Sequence, residues 1–218
     1  MGGNVYTFTY VANLPSGVTN SNVSDVTVTK SYSEVSGGYS FTPATPTADG
    51  CKFLKWEMDY DLNGTPQSAI KDTPAQYSVT ANNIKNSQTR QFTMTAYWQK
   101  LYKLNFDPNA GEDTVAYALG NNDGTITSAN FDTNGDYTFS FSTTPTRAGY
   151  IYTGASLTPG GSIVTKVNES QFDTLMDGRW NATIYGNWTK RPVITYNSAF
   201  PDYSGEQLTE SKTGNVGS

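Results

Sequence analysis

Apolar and polar residues alternate along most of this chain. Val26-Thr-Val-Thr29, Tyr39-Ser-Phe41, Phe92-Thr-Met-Thr-Ala96 and Tyr137-Thr-Phe-Ser-Phe141 each put large side chains on one side and Thr or Ser on the other. A period of two marks a half-buried strand, and threonine suits the wet face because its branched Cβ packs well on a pleated surface. Turn clusters separate the runs: Asn63-Gly64, Asn121-Asn-Asp-Gly124, Asn134-Gly-Asp136 and Pro159-Gly-Gly161. Helical spacing is clear once. Phe172, Leu175 and Met176 fall at i, i+3 and i+4, Asn168 or Ser170 can cap the start, and Gly178 can close the end. The spacing predicts a helix over 168–178, with Thr80-Ala-Asn-Asn-Ile-Lys85 as its fainter counterpart in the first half.

The strands recur in a fixed order. Tyr6-Thr-Phe-Thr-Tyr10 returns as Tyr102-Lys-Leu-Asn-Phe106 and again as Val193-Ile-Thr-Tyr196. Tyr39-Ser-Phe-Thr-Pro43-Ala-Thr-Pro46-Thr-Ala-Asp-Gly50 returns as Tyr137-Thr-Phe-Ser-Phe141-Ser-Thr-Thr-Pro145-Thr-Arg-Ala-Gly149, and Met94-Thr-Ala-Tyr-Trp98 as Ile184-Tyr-Gly-Asn-Trp188. Three anchors spaced 90 to 99 residues apart predict two complete modules, 4–100 and 101–190. Residues 191–218 then read as the start of a third module or a terminal strand, with strand near 193–197 and irregular, exposed chain after about 203. Residues 1–3 read as a leader ahead of a segment of something longer. The joints Gln99-Lys-Leu101 and Thr189-Lys-Arg-Pro192 are short, which predicts a semi-rigid rod.

At these anchors the chain resembles the Listeria–Bacteroides repeat family, the B-repeats of internalin-type surface proteins. The family pattern is an aromatic-x-Phe-Asp-x-Asn-Gly-Gly opening, a central Pro-x-x-x-Gly-Tyr-x-Phe-x-Gly-Trp and a closing Leu-Tyr-Ala-x-Trp. The second module offers Phe106-Asp-Pro-Asn-Ala-Gly111, Pro145-Thr-Arg-Ala-Gly149-Tyr150-Ile-Tyr152-Thr-Gly154 and Ile184-Tyr-Gly-Asn-Trp188. The first offers Pro46-Thr-Ala-Asp-Gly50-Cys51-Lys-Phe53-Leu-Lys55-Trp56 and Met94-Thr-Ala-Tyr-Trp98. Ala155 replaces the central Trp in the second module, Lys55 replaces the motif Gly in the first, and an extra stretch follows Trp56. The resemblance implies a mainly β fold: two tandem β-grasp-like modules of mostly antiparallel strands, each with at most one short helix, in a large bacterial surface protein. Phe53, Trp56, Trp98, Tyr150, Tyr152 and Trp188 are the expected structural core, with Trp98 and Trp188 in equivalent places.

Composition narrows the chemistry. Aromatics at 13% and a net charge of −5 are not those of a disordered chain, although apolar residues reach only 36%. With 31 Thr and 20 Ser the surface is polar. The absence of histidine removes Ser-His-Asp and Cys-His nucleophiles and His-ligated metals, and the lone Cys51 forms no internal disulfide. A pI near 4.7 argues against nucleic acid and anionic membranes, and no apolar run approaches the roughly 20 residues of a membrane helix.

Few motifs carry site chemistry. Asp59-Tyr-Asp61-Leu-Asn63-Gly64 matches the first half of a calcium loop, with oxygen ligands at alternate positions. Position 12, where a bidentate Glu belongs, is Ile70. A polar hairpin turn tipped by Asn63-Gly64 accounts for the same residues, and no metal is expected there. Asp132-Thr-Asn134-Gly-Asp136 is a lesser calcium candidate. The five Asn-x-Ser/Thr triplets are near the chance number. Tyr32, Tyr60, Tyr77, Tyr117 and Tyr203 are freer of the strand pattern and could stack on sugars, though core or ordinary surface is the better reading of them. Lys30, Lys52 and Lys103 lie in strand-like text, where isopeptide crosslinking competes with the ordinary solvated lysine. Acidic residues sit in turns, as backbone caps rather than catalytic pairs. The expectation is a non-catalytic, cofactor-free structural and adhesive segment of a bacterial cell-surface or secreted protein. It is expected to be extracellular and monomeric, a stalk or a module binding a surface protein or glycan. A glycan-binding module of a secreted protein is the alternative.

Overall fold

The computed structural model describes residues 5–41, 45–71, 77–120, 125–198 and 208–213. The fold is mainly β, as the alternation requires. In chain order come β1 (Val5–Val11), β2 (Val26–Ser31), α1 (Tyr32–Val35), β3 (Gly38–Phe41), β4 (Cys51–Leu62), β5 (Thr65–Lys71), β6 (Tyr77–Thr80), α2 (Ala81–Asn86) and β7 (Gln91–Asp107). There follow β8 (Val115–Leu119), β9 (Ile126–Thr127), β10 (Asp136–Thr138), β11 (Phe141–Arg147), β12 (Tyr150–Ser156) and β13 (Ile163–Val164). The last are β14 (Lys166–Asn168), β15 (Thr174–Met176), β16 (Arg179–Lys190), β17 (Val193–Ser198) and β18 (Leu208–Thr213). Two compact units result: unit 1 runs to Tyr102 and includes Thr174–Trp180, and unit 2 holds Lys103–Asp173 and the chain from Asn181 onward.

In unit 1 the strand order is β2-β1-β7-β4-β5. β1 is antiparallel to β2 but parallel to β7, with Thr7 to Val11 opposite Gln91 to Thr95. Period two sends Tyr6, Phe8, Phe92, Met94, Ala96, Trp56 and Met58 to one buried face. The rings of Phe8 and Phe92, direct neighbours in the register, stack 5.3 Å apart. Val35 of α1, Val79 of β6 and Ile84 of α2 join the same core, all at most 1% exposed. Both helices start on a capping box: Ser31 with Glu34, and Thr80 with Asn83.

Unit 2 repeats this plan from different residues. Its order is β9-β7-β16-β12-β13, with the later residues of the long β7 as its first strand. The match extends to single pairs. In unit 1 Phe53 faces Trp98, a bulge follows, and Trp56 faces Ala96. In unit 2 Tyr152 faces Trp188, a bulge follows, and Ala155 faces Gly186. The bulge explains a spacing that alternation alone forbids. The extra residue, Leu54 or Thr153, shifts the strand by one so that side chains three apart share a face. The small ladders also correspond: Tyr39 faces Val79 and Gly38 faces Thr80, as Tyr137 faces Val167 and Asp136 faces Asn168.

Ala155 leaves the centre of unit 2 without the indole that Trp56 supplies in unit 1, and Ala155 is 1% exposed. Phe106 fills in, its ring 4.7 Å from Tyr117, 4.9 Å from Phe141 and 6.4 Å from Tyr152. The two cores therefore share a backbone plan and differ in packing.

Three expectations are corrected. The helix over 168–178 is one 3-10 turn, Glu169–Gln171, between β14 and β15. Asn168 does cap it, and Phe172 is buried directly after it. Beyond that, Leu175 and Met176 lie in β15, 41% and 49% exposed, and Asp177-Gly178 turn with positive φ into β16. One turn buries Phe172, so nothing drives the helix further. Second, among the described residues each unit carries two short helical segments rather than at most one: α1 and α2, and the 3-10 turns Ser128–Asn130 and Glu169–Gln171. Third, the chain after 203 is not all irregular. β18 pairs antiparallel with β17, Val193 opposite Thr213, because backbone hydrogen bonds suffice to join a polar strand to an open neighbour.

Gly50 and Gly149 precede equivalent strands with φ of 68° and 75°, a conformation glycine tolerates best. Their surroundings differ. A Cβ on Gly50 would lie 2.6 Å from Nε1 of Trp180 and 2.7 Å from Cδ1 of Leu175, whereas no described atom lies within 4 Å of one on Gly149. Gly149→Ala should cost about 1 kcal/mol through φ alone, and Gly50→Ala about 2–3 kcal/mol through φ plus overpacking. Urea midpoints of the two variants measure the difference.

Candidate functional site

Trp98 and Trp188 are both half-buried and hold equivalent positions. Each indole N–H donates to a backbone carbonyl just after the first strand of its unit: Trp98 to Ala12 and Trp188 to Pro108, both at 2.7 Å. One residue on, Asn13 and Asn109 take positive φ (46° and 51°) and turn their side-chain amides back. Asn13 Nδ2 donates to Ala96 O at 3.0 Å and Asn109 Nδ2 to Gly186 O at 3.3 Å. Ring contacts repeat too, Phe53 to Trp98 at 5.6 Å and Tyr152 to Trp188 at 5.4 Å. Finally, Leu101 N donates to Gly50 O and Arg191 N to Gly149 O. This double clamp ties the end of each first strand to the closing strand of the same unit.

The calcium candidates fall on a tight hairpin. Leu62 faces Thr65 across a two-residue turn with positive φ at Asn63 and Gly64, 52° and 81°. Asp59 and Asn63 are exposed, but Asp61 is only 5% exposed and its oxygens are taken. Oδ1 accepts from Ser87 Oγ (2.7 Å), Thr89 N (3.1 Å) and Thr89 Oγ1 (2.5 Å); Oδ2 accepts from Gln88 N (2.8 Å) and Gly64 N (3.0 Å). The Thr89 hydroxyl first, then the Gln88 amide and Ser87 hydroxyl, hold its carboxyl well below the usual carboxylate range. A metal would have to displace these five donors. Among the described residues, no group of three or more Cys, Asp or Glu side chains is placed to hold a metal ion.

Several other acidic groups bond backbone amides or pair with side chains. Asp132 Oδ1 accepts from Asn134 N and Asp136 N, and its Oδ2 pairs with Lys166 at 2.7 Å. Asp107 accepts from Asn109 N, Asp25 from Ala12 N, and Asp113 pairs with Arg147. Of the lysines, Lys30 pairs with Glu34 at 3.3 Å, Lys52 is exposed and Lys103 half-buried.

Trp56 is fully buried, while Phe53, Tyr150 and Tyr152 are half-buried. Tyr150 lies under the Arg147 guanidinium, 3.7 Å from its ring centre. Among the tyrosines outside the strand pattern, Tyr32 is 44% exposed; Tyr117 is 40% exposed but reaches Phe106 O with its hydroxyl. Tyr60 is half-buried against Phe92. Tyr203 lies outside the described residues. One polar cleft of about 170 Å³ opens in unit 1, lined by Asn20, Ser21, Asn22, Thr47 and Asp49. Its groups bond one another, as in Asn20 Nδ2 to Asp49 Oδ2 at 2.8 Å and Ser21 Oγ to Thr47 O at 3.0 Å.

Sequence reasoning missed Asn13, Asn109 and Trp180. The asparagines stand at matching places after the aligned first strands, a trace the repeat alignment carries. Trp180, 8% exposed, belongs by sequence to the second module but packs in unit 1 on Gly17 and Gly50 and under Lys100. No local pattern announces it. The chain matches no family model, no curated protein and no solved structure.

Proposed function

We propose that this chain is a non-catalytic structural and adhesive repeat segment of a bacterial cell-surface protein, built of tandem β-grasp-like modules and kin to the Listeria–Bacteroides repeats. The observation that carries the reading is the doubled register: the same strand order, the same bulge and the same indole and amide clamp in two successive units. The β-grasp reading of unit 1 rests on its parallel first and last strands lying side by side at the centre of a mixed sheet. β17 and β18 form an antiparallel hairpin like β1 and β2, as the opening of a third module would. The polar side chains cap turns and lock hairpins, which suits a spacer better than a reaction centre. The alternative, a glycan-binding module, is favoured by the cleft at Asn20, Ser21, Asn22, Thr47 and Asp49. Binding of the intact chain to glycan arrays separates the two, with Tyr32→Ala and Asp49→Ala as controls. The stalk reading expects no saturable signal. A signal abolished by Asp49→Ala would replace it with the glycan-binding module.

A further inference from the structure

We propose that unit 1 is a tension-resisting clamp in which the first and last strands are loaded in shear. This deepens the stalk reading and rests on it for its purpose, though not for its mechanics. Tension along the chain enters unit 1 at Val5, the start of β1, and leaves past Tyr102 in β7. These strands are adjacent and parallel, with five residue pairs in register from Thr7–Gln91 to Val11–Thr95. Pulling the N-terminal end of one parallel strand against the C-terminal end of its neighbour slides them past each other. Every ladder bond then carries force at once. Strands pulled from the same end instead peel apart one bond at a time.

Three further features oppose the slide. On its other edge β1 is held by six registered pairs with β2, Val5–Ser31 to Tyr10–Val26. Tyr6 and Phe8 are 3% and 2% exposed and would be dragged through the core. At the far end the Trp98–Ala12 and Asn13–Ala96 bonds cross from β7 to the chain leaving β1, so sliding stretches both. This geometry suits a structural segment that carries traction along its chain.

Single-molecule pulling tests the clamp on the full chain in a Cys51→Ser background. In one geometry the chain is held by its two ends. In the other, Val5→Cys and Gln91→Cys place the handles at the matching N-terminal ends of β1 and β7. Unfolding of unit 1 releases about 300 Å of chain at roughly 3.3–3.6 Å per residue. The end-to-end rupture force should exceed the peeling force roughly two- to fivefold, the upper limit being five registered pairs that share the load evenly. Asn13→Gly keeps the positive φ accessible and removes the amide. It should lower the end-to-end force and leave the peeling force unchanged, since peeling from the N-terminal ends reaches that bond last. Equal forces in the two geometries, or an equal drop in both for Asn13→Gly, would overturn the proposal. Glycan binding by the chain would remove the stalk reading yet leave these forces unchanged, so the two failures are distinguishable.

Discussion

Trp98→Ala and Trp188→Ala should each cost about 3–4 kcal/mol, with similar losses in both units. Each change removes a large ring from a half-buried site, breaks an edge contact with Phe53 or Tyr152, and leaves the Ala12 or Pro108 carbonyl without its donor. Phenylalanine separates these contributions. Trp98→Phe keeps most of the ring and loses only the N–H, so about 1 kcal/mol is expected. Urea unfolding of the two alanine variants is the measurement. If Trp188→Ala lost less than about 1 kcal/mol, the equivalence of the two clamps would be geometric only. Trp56→Ala has no counterpart in unit 2, where Ala155 already stands and Phe106 fills the centre. The units are thus expected to unfold in separable steps.

Asp61 carries the second large effect. Asp61→Ala strips the acceptor from three backbone amides and two hydroxyls, and should cost about 3 kcal/mol, as buried bonds to a charged acceptor do. Asp61→Asn preserves the Oδ1 side but turns an NH2 toward the Gln88 and Gly64 amides, so it should cost nearly as much. The pH dependence has a definite sign. Because the folded carboxyl ionises well below its ordinary value, its contribution is present above the unfolded pKa of about 3.9 and is lost as pH falls from there toward the folded pKa. Wild-type stability should therefore drop below about pH 4, and Asp61→Asn should flatten that drop. Chemical denaturation midpoints across the acid range measure this. Millimolar calcium should leave the melting temperature unchanged. A calcium-dependent rise that disappears in Asp61→Ala would show the turn to be a metal site after all.

The sequence by itself determined the strands and their repetition. Alternation of aromatic and Thr residues is a local consequence of the two-residue pleat, so Tyr6–Tyr10 and Phe92–Ala96 were legible as strand text, whereas the run Tyr137–Phe141, expected as one strand, is split, with β10 ending at Thr138 and β11 starting at Phe141. It likewise determined the Asn63-Gly64 hairpin, because a two-residue turn with positive φ selects those residues. Only the tertiary structure decided which strands adjoin. Parallel pairing of β1 with β7 joins residues some 84 positions apart, as Thr7 with Gln91, and no neighbour in the chain encodes it. The bulge that brings Phe53 and Trp56 to one face was hidden for the same reason, since it exists only against a partner strand. Asp61 was a calcium candidate only because oxygen side chains stand at alternate positions, Asp59, Asp61 and Asn63, and the bare turn was the expected reading. Its true partners, Ser87, Gln88 and Thr89, arrive from a distant loop. The 168–178 stretch had helical spacing, but Phe172 found its core within one turn and the β-sheet claimed the rest. Local periodicity reports what one element prefers; burial and backbone pairing, which depend on the whole chain, decide what it becomes.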